Sequence, residues 1–146
     1  MWDRILGTLS EKFEVKKFDG AGEKDINVLE DKLGVKLPEE LRELLKNTDG
    51  LEVEKTRIIR PVKDILEDNE RFRSDENILR SFMPFDSLLF FGDSGGAGDL
   101  LAYAIIQGEI SKTGVYVWDH ENDSRTWIAP SIQKLLEWWI DGKIKV

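Results

Sequence analysis

Helical stripes crowd the first third of this sequence, strand-like runs dominate its second half, and one well-marked helix closes it. Apolar residues recur every three or four positions as far as about residue 50. After that the pattern shifts to short runs rich in β-branched and aromatic residues. Ile132, Leu135, Leu136 and Trp139 then restore the helical spacing. Helices segregated from strands in this way predict an α+β fold. The expectation is a mainly antiparallel mixed sheet, with N-terminal helices and a closing C-terminal helix packed on it.

Each element has its own signal. Trp2, Ile5, Leu6, Leu9 and Phe13 mark a first helix over about Trp2–Lys12, and Asp19-Gly20-Ala21-Gly22 interrupts the pattern. Ile26, Leu29 and Leu33 share one face of a second helix over Glu23–Leu33, with Gly34 in the position of a C-cap. After the connector Val35-Lys36-Leu37, Pro38 suits the first position of a third helix carrying Leu41, Leu44 and Leu45. Asp49-Gly50 is a turn. Leu51–Val53 and Thr56–Ile59 read as strands joined through Glu54-Lys55. Pro61 starts a helix to about Phe72, with Val62, Ile65 and Leu66 inward. The charged run Glu67–Glu76 reads as a solvated face and loop, because alternating acids and arginines do not converge as metal ligands must.

Ser87–Phe91, Leu100–Ile106, Gly114–Trp118 and Thr126–Ile128 supply further strands. Gln107-Gly108-Glu109 and the polar segment Asp119–Arg125 are the turns between them. Ser131 caps the last helix and Gly142 stops it. Trp138, off the main stripe, is placed at the edge of the core, with a contact surface as the alternative.

Between two apolar strands, Gly92 to Leu100 holds four glycines in nine residues, out of 12 in the chain. Such density marks a special turn, a bulge or a loop pressed against something. Positive φ is expected at Gly96 or Gly98. Gly92-Asp93-Ser94-Gly95-Gly96 also spells the loop around the nucleophile of trypsin-like proteases. That chemistry needs an upstream histidine, and the sole histidine, His120, lies downstream. A phosphate cradle would require a helix after the loop, whereas Asp99 and a strand follow. A strand–loop–strand connection is the remaining reading.

At 146 residues the chain is expected to form a single domain, residues 1–146. It lacks the apolar run of about 18 residues that a membrane span requires, and its N-terminus lacks the apolar stretch of a secretory signal. The absence of cysteine excludes disulfides and thiolate metal sites and fits a cytoplasmic protein. A net charge of −8 argues against direct nucleic-acid binding; it is suited either to a basic protein partner or simply to solubility. His120, flanked by Asp119 and Glu121, has the residue types of a base or a metal ligand, but its place in a polar hairpin turn reads first as a solvent-exposed loop histidine. Asp93 and Asp99 could form a carboxylate pair, but Asp99 is expected to accept backbone N–H groups within its own loop. None of these spacings specifies an enzyme or a metal.

Several of these segments, in order, resemble one family. Leu37-Pro38-Glu39-Glu40-Leu41 with Leu45-Lys46-Asn47-Thr48-Asp49-Gly50 resembles the leucine-proline, helix, asparagine-glycine signature of the SUKH superfamily, in the branch named after the yeast Smi/Knr cell-wall synthesis regulator. Asp-Gly stands here for the commoner Asn-Gly. Phe90–Asp93 with Gly98–Tyr103 is similar to that family's glycine-rich strand pair. Gly114–Glu121 resembles its later strand and acidic hairpin, and Ala129–Ile132 with Leu135-Leu136 its closing helix. The likeness covers about residues 20–142, and the acidic segment 67–80 has no counterpart in it.

The resemblance implies a Smi/Knr-like domain with no catalytic residues and no cofactor. Bacterial members are mostly immunity proteins that neutralise cognate polymorphic toxins, many of them nucleases, and eukaryotic relatives resemble regulators or scaffolds. The expected function is therefore immunity by occlusion of a basic toxin's active site. The expected partner-binding residues are Asp93, Asp99, Trp118, Asp119, His120, Glu121 and Asp123. A regulatory scaffold is the first alternative. A small hydrolase using Asp93, Asp99 or His120 is the second.

Overall fold

A computed structural model describes residues 2–95 and 98–145. Gly96, one of the two glycines expected at positive φ, lies outside these described residues. The fold is α+β, with its strands in two antiparallel sheets.

Helix α1 (Trp2–Lys12) buries Trp2, Ile5, Leu6 and Leu9, as their spacing predicts. Strand β1 (Val15–Lys17) follows. It escaped the sequence reading because it is three residues long and mostly exposed. Helix α2 (Glu23–Leu33) ends at a left-handed Gly34. Helix α3 (Glu39–Asn47) has Pro38 as its N-cap, one position earlier than expected. Strands β2 (Leu51–Val53) and β3 (Thr56–Ile59) complete a three-stranded sheet in the order β1-β2-β3.

The charged run is a largely solvated face, as expected, but it is helical where a loop was expected. It belongs to helix α4 (Val62–Ser74) and, past the capping carboxylate of Asp75, to helix α5 (Glu76–Ser81). Asn69 and Phe72, set among the charges, are the buried members. Charged residues are good helix formers when they face water, so the run hides its period.

Strands β4 (Leu88–Asp93), β5 (Leu100–Ile106), β6 (Glu109–Asp119) and β7 (Ser124–Ala129) form a four-stranded antiparallel meander. Helix α6 (Ile132–Ile140) follows, its Ser131 hydroxyl accepting from the Lys134 N–H at 3.0 Å. Trp138 is half-buried against the core edge, as expected.

The meander is buried on both faces beside β4. Side chains alternate across a strand. Leu89 and Phe91 therefore enter the main core with α1, α2, α3 and α6, while Leu88 and Phe90 enter a second, aromatic cluster with Phe72, Phe85 and Trp118. This explains why Leu88–Phe91 is continuously apolar. The two sheets touch where β3 meets β4: the Arg60 N–H donates to the Phe91 carbonyl at 2.8 Å. At the adjoining Gly92, a Cβ would collide with the Ile58 carbonyl, so only glycine lets the two backbones approach. Asn69 continues the same edge of β4, the one β5 leaves open. Its amide accepts from the Phe90 N–H at 2.9 Å and donates to the Phe90 carbonyl at 2.8 Å, acting as one residue of extra strand beside the bulge between Phe90 and Gly92.

Candidate functional site

The β4–β5 connection and the β6–β7 turn lie at the same end of the meander. In the antiparallel register Leu100 faces Trp118, which sets Asp99 beside Asp119 and His120. The Asp99 carboxylate accepts the His120 backbone N–H at 3.2 Å and lies 2.8 Å from the imidazole Nδ1. Gly98, at φ +96°, leaves the space the ring occupies; a Cβ there would lie 2.9 Å from Nδ1.

Asp99 thus does accept a backbone N–H; among the described residues it comes from the facing hairpin, where the expectation was a donor within its own loop. Its hydrogen bond is the main influence raising the His120 imidazole above its ordinary value. Desolvation opposes the rise, and the charges of Asp99, Glu121 and Asp119 add to it. Ser94 contributes its backbone N–H, which donates to the Asp99 carbonyl at 3.1 Å.

Asp93 and Asp99 are not set against each other: Asp93 is paired with Arg60, and Asp99 lies against the His120 ring. Asp93 is bound by Arg60, whose Nε donates at 2.9 Å and which also holds Asp68. A hollow of about 330 Å³ beside the loop has Glu52, Asp93 and Asp99 on its walls, but also Lys55, Arg57 and Arg60. Three carboxylates against three cations make this side close to neutral. The expected acidic surface does not extend onto it.

Trp118 is no surface anchor. It is 3% exposed, ringed by Phe72, Phe82, Phe85 and Phe90, and its indole N–H donates to Asp123 at 2.8 Å. Asp123 is committed inward as well. Desolvation would raise its carboxyl, but hydrogen bonds from the Met83 N–H, Trp118 and Arg125 outweigh it and hold the group below the usual range. What remains outward is Glu121, exposed, and Asp119, half-buried. The Asp119 carboxylate shapes the turn by accepting the Glu121 N–H at 2.9 Å.

One oxygen or nitrogen from each of Asp99, Asp119 and His120 lies within 4.8 Å of the others. These are the residue types that could hold a divalent metal. The Nδ1 atom of His120 is, however, already engaged at 2.8 Å with the Asp99 carboxylate. The arrangement is a charged clamp between two loops. Sequence reasoning found its acids but missed Arg60, Asp68, Met83 and Arg125, which decide which acids stay free. Arg60, Met83 and Arg125 were signalled only by position beside a proline or a turn, and Asp68, within α4, by nothing local.

A family model described as SMI1-KNR4 cell-wall, SUKH_6, matches residues 23–136. That span runs from the start of α2 into α6 and includes the whole meander. No curated protein matches the chain.

Proposed function

The chain belongs to the SMI1-KNR4 cell-wall family, SUKH_6, and from that premise we propose that it is an immunity protein that binds a cognate polymorphic toxin and covers its active site. The observation that carries this reading is the acidic β6–β7 hairpin. Its base is pinned by Trp118–Asp123 and its flank by Asp99–His120, so Asp119 and Glu121 are presented on a fixed frame. A preorganised contact loses less entropy on binding. A nuclease toxin, whose substrate groove must be basic to hold phosphates, is the fitting target. The action is binding, with no chemical step by this chain. No described helix is long and apolar enough to cross a membrane, and the reading places the protein in the cytoplasm with its toxin.

The test uses the product of a neighbouring toxin-like gene. Co-expression should rescue growth, and Asp119→Lys with Glu121→Lys should slow association and weaken rescue. Salt should slow the wild type in the same direction. Unchanged association of the double variant at low salt would remove the hairpin from the interface. If no neighbouring product binds, the immunity reading fails. The family's cell-wall description then favours the second reading, a regulatory scaffold.

A further inference from the structure

At the far end of the meander, about 20 Å of strand away from the acidic hairpin, the connector between α2 and α3 stands apart from the β5–β6 hairpin. Between them lies an open cleft of about 740 Å³, a size typical of ligand-binding clefts. Its floor is fixed. The Tyr103 hydroxyl donates to Glu40 at 3.0 Å, and Glu40 also accepts the Ile132 and Gln133 N–H groups at the start of α6, at 3.1 and 3.2 Å. Burial, then the nearby Glu40 charge, push the Tyr103 hydroxyl well above its ordinary value, so it remains a donor.

The walls are apolar, formed by Val35, Leu37, Pro38 and Ile110, and the exposed carboxylates Asp31, Glu39 and Glu109 stand on the rim. Five carboxylates line the cleft against two lysines, Lys36 and Lys112. With Glu30 paired to Arg42 at 2.6 Å and Glu40 held by its three donors, Asp31, Glu39 and Glu109 still outnumber the two lysines. Apolar walls under a net negative rim suit a side chain with an aliphatic stem and a cationic head.

We propose that this cleft binds an extended basic segment of a protein partner, a Lys or Arg flanked by aliphatic residues. The stem would lie against Pro38 and Ile110 and the head would reach the carboxylates. The cleft is separate from the acidic hairpin, so the inference does not depend on the immunity reading.

The test pans a random heptapeptide library, displayed on phage, against the wild-type protein. The expected winners carry Lys or Arg beside Leu, Ile or Val. Asp31→Lys with Glu109→Lys should weaken the synthetic winner at least tenfold in fluorescence anisotropy. Both side chains are exposed, and a lysine near the end of α2 complements the helix dipole, so melting should be preserved. In amide proton–nitrogen spectra the peptide should move Gly34, Lys36, Ser111 and Gly114 and leave Gly95 and Glu121 in place. Winners without a basic residue, equal binding by the double variant, shifts at the acidic hairpin, or no winners at all would each overturn the proposal. Asp119→Lys with Glu121→Lys separates the two readings, since it should slow the toxin and leave the peptide bound within twofold.

Discussion

The Nδ1 atom of His120 lies 2.8 Å from the carboxylate of Asp99, and the pair ties together two turns 21 residues apart in the chain. Because the folded imidazole is raised above its ordinary value near 6.5, the clamp contributes its full stability below that pH. It is lost as pH rises through the folded value. The stability difference between wild type and His120→Gln should therefore be largest in mild acid and shrink toward alkaline pH. Urea unfolding between about pH 5.5 and 8.5 measures it. A difference that stays constant or grows with pH contradicts the clamp.

Gly92→Ala should be among the most damaging single-methyl changes. The added carbon meets the Ile58 carbonyl, a backbone wall that cannot rotate away. Overpacking commonly costs about 1–3 kcal/mol, and the upper part of that range is expected here. Gly98→Ala should cost about 1 kcal/mol or more through its positive φ. It should also return the His120 titration toward its ordinary value by displacing the ring. Thermal melts and a proton titration of His120 check both variants.

Asn69→Ala should strand the Phe90 N–H and carbonyl in the interior. Each buried polar group left without a partner costs about 1–3 kcal/mol. Hydrogen exchange at the Phe90 amide should accelerate beyond the change in global stability, because the lost partner is local. Equal protection in the two proteins would mean that the amide bridge does not hold the strand.

Trp118→Ala should cost about 3–5 kcal/mol, the range for emptying a buried aromatic site. Trp118→Phe keeps most of the packing and removes only the indole donor to Asp123, a charge-assisted bond of about 1.5–3 kcal/mol. Chemical denaturation separates the two contributions. A Trp118→Phe protein as stable as wild type would show that the hairpin base is held by packing alone.

Helix α6 was legible in full because Ser131, the stripe Ile132–Trp139 and Gly142 agree at every level. The span of α2 was equally clear. Helix α4 was legible to about Phe72, but α5 was hidden because it is six residues long and buries none of them. Strand β6 begins at Glu109, five residues before the expected Gly114, because Glu109–Thr113 is half-exposed and polar and lacks an apolar period. Of the candidate site, the sequence showed which residues are acidic. It did not show that Arg60 claims Asp93 or that Trp118 and Arg125 claim Asp123.

Local chemistry was enough for what depends on near neighbours: the α+β order, the helix stripes, the turn at Gln107-Gly108 and the glycine-rich break between β4 and β5. Contacts between distant residues follow from strand register and sheet contact, which no local pattern encodes. The Leu100–Trp118 register alone brings Asp99 to His120. The approach of β3 to β4 requires glycine at 92, and the separation of the α2–α3 connector from the β5–β6 hairpin opens the acidic cleft. Which carboxylates stay free to meet a partner was therefore decided by tertiary structure, because a charge is available only when no cation or donor has been packed against it.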